Sequence, residues 1–375
     1  MEPFWEMVLP LEGSPVARWL VQAASGVMAI RTVRWRDQGL EQIIGRPMPV
    51  GDPVLEVRGR LLVESERAYQ RLSHRFSELG HVLMLREDKG EHVILAVPGS
   101  LPTEAGRPML AVALFAATLL SVLWVGAEYE QAAGLVGGWP FAASLLGILL
   151  AHEMGHYLVA RRLGVPASLP YFIPMPLSLL GTMGAVIQTR APTRNRRELL
   201  LLGISGPLAG VVVAVPVLLL GLSTSQIGYV PPGMAAFQEG NSILYAWLKY
   251  LVFHRMLPSG GMDVFINSVA LAGWAGLLVT ALNLIPAGQL DGGHVAYALL
   301  GSKARRLTWA VVGALVALSL LWQGWLLWAG LVLILGRVHA VPLDDVTPLR
   351  TREKLLAAAG IVLFILVFIP VPMSI

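Results

Sequence analysis

Two histidines four residues apart, in the run His152-Glu153-Met154-Gly155-His156, interrupt a stretch that is otherwise apolar enough to lie in a membrane. On a helix both imidazoles project from one face, a spacing that grips a single zinc ion, and Glu153 is left beside the metal as a general base for water. Upstream, residues 139–151 are almost wholly apolar, and the next ionisable side chains are Arg161 and Arg162. Ionisable groups at membrane depth are costly enough to be functional by default.

The chain has 375 residues, of which 55% are hydrophobic and 14% charged. Soluble domains carry about 25% charged residues, so most of this chain is expected to be membrane-embedded. No cysteine is present, and any metal must be held by histidine and carboxylate. The first twenty residues carry Glu2, Glu6 and Glu12 and do not resemble a cleavable secretory signal.

About half of the charged residues fall in residues 1–107, with the two signs nearly balanced. That balance predicts a soluble module and excludes a basic nucleic-acid binder. Within it, residues 54–62 alternate as a strand and residues 64–79 have helical spacing. Strands at 82–86 and 92–97 follow, joined by a turn at Asp88-Lys89-Gly90. The expectation is a small α+β domain. Its three histidines, His74, His81 and His92, have no metal-site spacing and belong to a solvated face.

From Pro108 onward, long apolar runs alternate with short polar loops. Spans are expected near 109–126, 140–163, 199–221, 264–285, 307–321, 323–337 and 355–371, the fifth and sixth short enough to form a tight hairpin. Residues 242–253 are apolar and aromatic but too short to cross. The expected architecture is therefore a polytopic α-helical membrane protein of about 6–7 transmembrane helices with a membrane-embedded β element. It divides into an N-terminal α+β domain (1–107), a core (108–301) and C-terminal transmembrane helices (302–375).

Basic residues set the orientation. Arg161, Arg162, Arg190, Arg194, Arg196 and Arg197 separate the second and third spans, Lys303, Arg305 and Arg306 precede the fifth, and Arg350, Arg352 and Lys354 precede the last. The loops at 127–139 and 222–240 hold no Lys or Arg. The positive-inside rule then makes the N-terminal domain cytoplasmic, in what is expected to be a bacterial inner membrane. The arginines at 190–197 also suit lipid headgroups.

Three prolines between Leu169 and Pro176 forbid a helix there, and residues 181–188 read as a strand. Non-helical apolar backbone at membrane depth must be buried in protein or line a wet cavity, so this segment is expected to line the site. Gly181, Thr182, Met183 and Gly184 become candidate substrate-binding residues, because an extended chain can add to a strand edge. For the third metal ligand the best candidate is Asp291, in the run from Asn283 to His294. Its span runs outside to inside, so Asp291 and His156 share a side. Pro286, Gly288 and the Gly292-Gly293 pair break the helix and let the carboxylate reach inward. Helix capping is the competing role for Asp291. His294 reads as a structural histidine, with auxiliary ligation the alternative.

With these motifs in order, the chain resembles the site-2 protease family of intramembrane zinc metalloproteases. The resemblance rests on His152-Glu153-Met154-Gly155-His156, Asn283-Leu284-Ile285-Pro286 and Leu290-Asp291-Gly292-Gly293, with Gly181-Thr182-Met183-Gly184-Ala185 similar to the family's membrane-buried sheet element. It covers about residues 105–301 and includes no PDZ insertion. It implies one zinc per chain held by His152, His156 and Asp291, with Glu153 as base. Asn283 would line the site near substrate backbone, helix–helix hydrogen bonding being its alternative role. The implied partners are the lipid bilayer and membrane proteins whose transmembrane helices are cleaved, with a regulator of the N-terminal domain unknown. The competing class is a catalytically silent zinc protein that binds transmembrane helices, or a metal carrier.

Overall fold

The computed structural model describes residues 15–36, 53–101, 106–230, 238–336 and 340–374. Glu2, Glu6 and Glu12, residues 231–237 of an expected outer loop and the last residue of the span expected at 323–337 lie outside these.

The N-terminal module opens with helix α1 (Pro15–Ser25) and strand β1 (Met28–Arg36), followed by β2 (Val54–Leu61), α2 (Ser65–Glu78), β3 (His81–Asp88) and β4 (Glu91–Pro98). The strands form one antiparallel sheet in the order β1-β2-β4-β3. Leu20, Leu72 and Phe76 from the helices pack on Leu55, Leu85 and Ile94 of one sheet face. From Val54 onward the elements follow the sequence expectation. The helix and strand ahead of them are additions that the alternation did not reveal.

Three helices are long and apolar enough to cross a membrane: Pro108–Tyr129, Leu135–Leu163 (with its leading 3-10 turn) and Arg196–Ser223. They correspond to the first three expected spans and are labelled α3 (Pro108–Tyr129), α4 (Trp139–Leu163) and α5 (Arg196–Ser223). Gly164, in a left-handed conformation with φ of 70°, ends α4. Asn195 caps α5 by accepting the Glu198 backbone N–H at 3.0 Å. The later apolar helices are shorter: α6 (Ile243–Phe253), α7 (Ser268–Asn283), α8 (Asp291–Leu300), α9 (Ala304–Leu318), α10 (Gly324–Leu335) and α11 (Thr351–Val367). With 16 residues, α7 is about 24 Å long. The pair at α9 and α10 forms two separate packed helices, a hairpin rather than one irregular element.

At the centre, α5 packs on α4, α7 and α8, and α4 packs on α7. Phe141, Leu145, Leu149, Leu218, Trp274 and Leu277 share one core. Between α4 and α5 the proline-rich run forms β5 (Tyr171–Pro174), which pairs antiparallel with β6 (Thr182–Val186) in a hairpin against α3.

One further segment ties the molecule together. Residues 343–345 bridge β3 and the residues before α5. The Leu85 N–H donates to the Leu343 carbonyl at 2.9 Å, and Asp345 N–H returns to the Leu85 carbonyl at 3.1 Å. On the other side, Leu343 N–H donates to the Thr193 carbonyl at 2.9 Å and Asp344 N–H to that of Arg194 at 2.6 Å. The Asp345 carboxylate then accepts from Arg196 Nε at 2.8 Å and Tyr297 Oη at 3.0 Å. This strap docks the N-terminal sheet on the core.

Candidate metal centre

His152 and His156 sit on the inner face of α4, and both are buried. Asp291 is the first residue of α8, reached from α7 through the turn at Pro286. Gly292 and Gly293 lie in the first turn of α8 rather than in the helix break itself, and there a side chain at position 292 would meet the Leu284 carbonyl oxygen at 2.0 Å, and one at 293 the Gly288 carbonyl oxygen at 2.4 Å. The Gly292-Gly293 pair therefore lets the chain fold back on itself and deliver Asp291 to the bundle interior.

Three atoms converge. Asp291 Oδ2 lies 3.2 Å from His152 Nε2 and 3.2 Å from His156 Nε2, and the two nitrogens are 3.2 Å apart. Metal–donor bonds of about 2.0–2.1 Å in a tetrahedron separate neighbouring donors by about 3.3–3.4 Å. The triangle has the size of one tetrahedral face. Its donor set, two imidazoles and a carboxylate, is the set that catalytic zinc takes while a fourth position stays open. His156 Nδ1 lies 2.7 Å from the Leu202 carbonyl oxygen. That oxygen can only accept, so Nδ1 carries the proton and Nε2 presents its lone pair to the triangle.

The third span supplies a feature that the sequence reading missed. Gly203, Gly206 and Gly210 line one face of α5 against the triad. A side chain at 203 would meet His294 Cβ at 2.7 Å and the Asp291 carbonyl oxygen at 2.9 Å. At 206 it would meet His156 Nε2 at 2.0 Å, and at 210 His152 Nδ1 at 3.2 Å. The signal was present as helically spaced glycines, but its meaning depended on which helix lay opposite.

A cavity of about 200 Å³ opens beside the triad. Glu153 lines it, as does Ile187. Asn283 also lines it, with Nδ2 3.3 Å from His152 Nε2, as does His294. From the hairpin the lining residues are Ala185, Val186 and Ile187, the C-terminal end of β6 and the residue beyond. Gly181 to Gly184 are not in this lining. The Gly181 carbonyl accepts from Ser121 Oγ at 2.5 Å, and Thr182 Oγ1 donates to the Ile173 carbonyl at 2.8 Å. These two residues hold the hairpin in place, while Met183 is exposed and Gly184 faces open space.

The sequence also matches a family model. Residues 140–322 fit peptidase family M50, a span that contains all three converging side chains and Glu153. This region of the chain, just under half of its length, belongs to the site-2 protease family. Among the relatives of this chain is an Arabidopsis thaliana protein named probable zinc metalloprotease EGY2, chloroplastic, 28% identical over 85% of this chain and 60% of its own length. The protein of that name from Oryza sativa subsp. indica is 34% identical over 61% of this chain and 42% of its own. The Arabidopsis thaliana probable zinc metalloprotease EGY1, chloroplastic, is 33% identical over 62% and 43%. The chain thus spans less than two thirds of the length of these relatives. No solved structure matches it.

Proposed function

We propose that this chain is an intramembrane zinc endopeptidase that hydrolyses peptide bonds in or near the transmembrane segments of other proteins. The observation that carries this reading is the convergence of His152, His156 and Asp291 at 3.2 Å spacing beside a cavity that also holds Glu153. These three residues would hold one zinc ion per chain. When bound, zinc supplies Lewis-acid polarisation of a peptide carbonyl and of water.

The remaining steps belong to side chains and backbone. Water entering the cavity loses a proton to the Glu153 carboxylate as its oxygen bonds to the peptide carbonyl carbon, and Glu153 passes that proton to the amide nitrogen as the C–N bond breaks, leaving a carboxyl and an amine terminus. Asn283 offers an amide N–H to the substrate backbone. A helical peptide bond is already hydrogen-bonded and shielded, so the substrate must unwind. Among the described residues β6 pairs in a sheet only with β5, and an extended substrate would add along its other edge. Gly181 and Thr182 serve that contact by fixing the hairpin.

We further propose that residues 108–301 form the protease core, that residues 302–375 add transmembrane helices, and that residues 1–107 form a regulatory module. The apolar helices cross the membrane about 6–7 times, with the β5–β6 hairpin embedded in it. The positive-inside rule, applied to Arg161, Arg162 and the arginines at 190–197, supports a cytoplasmic N-terminal module in a bacterial inner membrane. A silent zinc-binding protein would have no use for a carboxylate at position 153.

The test is Glu153→Gln in purified protein incubated with a transmembrane substrate. The variant is expected to keep its zinc and lose cleavage by at least about 100-fold, the range of general-base catalysis. Cleavage at the wild-type rate would sink the assignment.

A further inference from the structure

A second cavity, of about 390 Å³, lies against the same Asn283–Asp291 connection, touching Leu284, Pro286 and Gly292. Its other walls come from α8, α9 and α11, and include Leu300, Leu307, Ile361 and Ile365. None of its lining side chains bears a charge or a hydrogen-bonding group. Leu300, Ile361 and Ile365 are about half exposed at its rim, so the space is an open groove on the bundle flank rather than a sealed void. Water gains nothing there, and a flexible apolar chain does.

The same helices carry an uncompensated charge at one end. Lys303, Arg305 and Arg306 stand at the start of α9, and Arg352 and Lys354 at the start of α11; all five are exposed. Among the described residues none of them is in an ion pair, whereas neighbouring Arg350 and Arg197 are paired with Glu66 and Glu353. Helical spacing puts two of the five above the groove. Lys303 precedes Leu307 by four residues, and Lys354 falls on the stripe that carries Ile361 and Ile365.

We propose that this groove holds an acyl chain of an anionic phospholipid whose headgroup rests on Lys303 and Lys354, with Arg305, Arg306 and Arg352 around it. Charge decides between this occupant and a transmembrane helix. The flanks of membrane helices on the basic side carry excess Lys and Arg, which this cluster repels, whereas an anionic headgroup is attracted. A bound chain would brace Leu284 and Pro286, hence the turn that positions Asp291. The inference rests on the membrane placement proposed above and needs neither zinc nor catalysis, so its failure is separable from failure of the protease reading.

The experiment is to reconstitute the full chain in nanodiscs of phosphatidylcholine with a minor fraction of phosphatidylglycerol, re-extract it in mild detergent, and count retained lipids by native mass spectrometry. Wild type should retain phosphatidylglycerol in preference to phosphatidylcholine. The exposed double substitution Lys303→Gln with Lys354→Gln should lower that retention several-fold, and so should Ile365→Trp, which fills the groove from its rim. Unchanged elution volume and metal content serve as the folding control. Equal retention of the two lipids by wild type, or undiminished phosphatidylglycerol in either variant, would overturn the proposal. Crosslinking of a transmembrane peptide to position 365 without any lipid preference would also overturn it and assign the groove to a helix.

Discussion

Gly206 faces the ring of His156 so closely that a methyl group at position 206 would stand 2.0 Å from Nε2. No rotation of the imidazole relieves this while Nδ1 keeps the Leu202 carbonyl. Gly206→Ala is therefore expected to weaken zinc binding by about 10–100-fold, the range for losing the support of a metal-binding histidine. Gly147→Ala, in the same span as His156 but with open space around it, should leave binding unchanged. Zinc titration of the two purified variants checks this, and equal affinity would show that the ring has another way out.

Asp291 and His294 both border the cavity, but only Asp291 reaches the nitrogen pair. Asp291→Ala should lose the metal, whereas His294→Ala should retain it. Metal content after gel filtration distinguishes them, and the reverse order would move the third ligand to His294.

Asp345 joins Arg196 of α5 and Tyr297 of α8 through one carboxylate. Asp345→Ala removes both bonds and strands a partly buried guanidinium, at a cost of about 1–3 kcal/mol. The expected result is faster hydrogen exchange at Leu85, whose backbone N–H and carbonyl are held by residues 343 and 345, with zinc content unchanged. Unaltered exchange would mean that main-chain pairing alone holds the strap.

Burial raises the pKa of Asp344 above the ordinary 3.8, although Val346 and Thr347 donate to its carboxylate. A carboxyl whose folded pKa is raised binds its proton more tightly folded than unfolded. Its contribution is complete below the unfolded value and is lost as pH rises through the folded one. Attachment of the N-terminal module should therefore weaken as pH climbs above the unfolded value of about 4. Asp344→Asn, which keeps an acceptor oxygen and removes the charge, should flatten that dependence. Limited proteolysis of the 340–350 segment across this range measures it, and identical profiles for both proteins would discard the idea.

Much of the metal centre was legible because its parts obey local rules. Two histidines one helical turn apart declare a shared face, and a Gly-Gly after a broken helix declares a chain free to turn inward. The helix and strands from Val54 to Pro98 were equally plain in their periodicities. The Tyr171–Pro174 strand was not, since its prolines suggest only a break, yet a strand paired on one side alone tolerates them. Strand β1 was hidden because its register shifts between Ile30 and Thr32, which interrupts the alternation at Arg31. The contact of Gly203, Gly206 and Gly210 with the triad could not be read, because spacing on one helix does not say which helix lies across from it. Nor could the strap, whose bonds at Leu343 and Asp344 are made by backbone, which carries no residue code.

The strap also dates the assembly of the molecule. Arg86 donates from Nη1 to the Leu343 carbonyl at 2.8 Å, across 257 residues of sequence. The N-terminal sheet emerges from the ribosome early and completes its own core, but what fastens it is synthesised only after Asp291 and the helices that follow. A nascent chain therefore contains every group that meets at the metal centre before it contains the peptide groups that fasten its first domain. The main-chain bonds of the strap can form only once residue 343 has been translated.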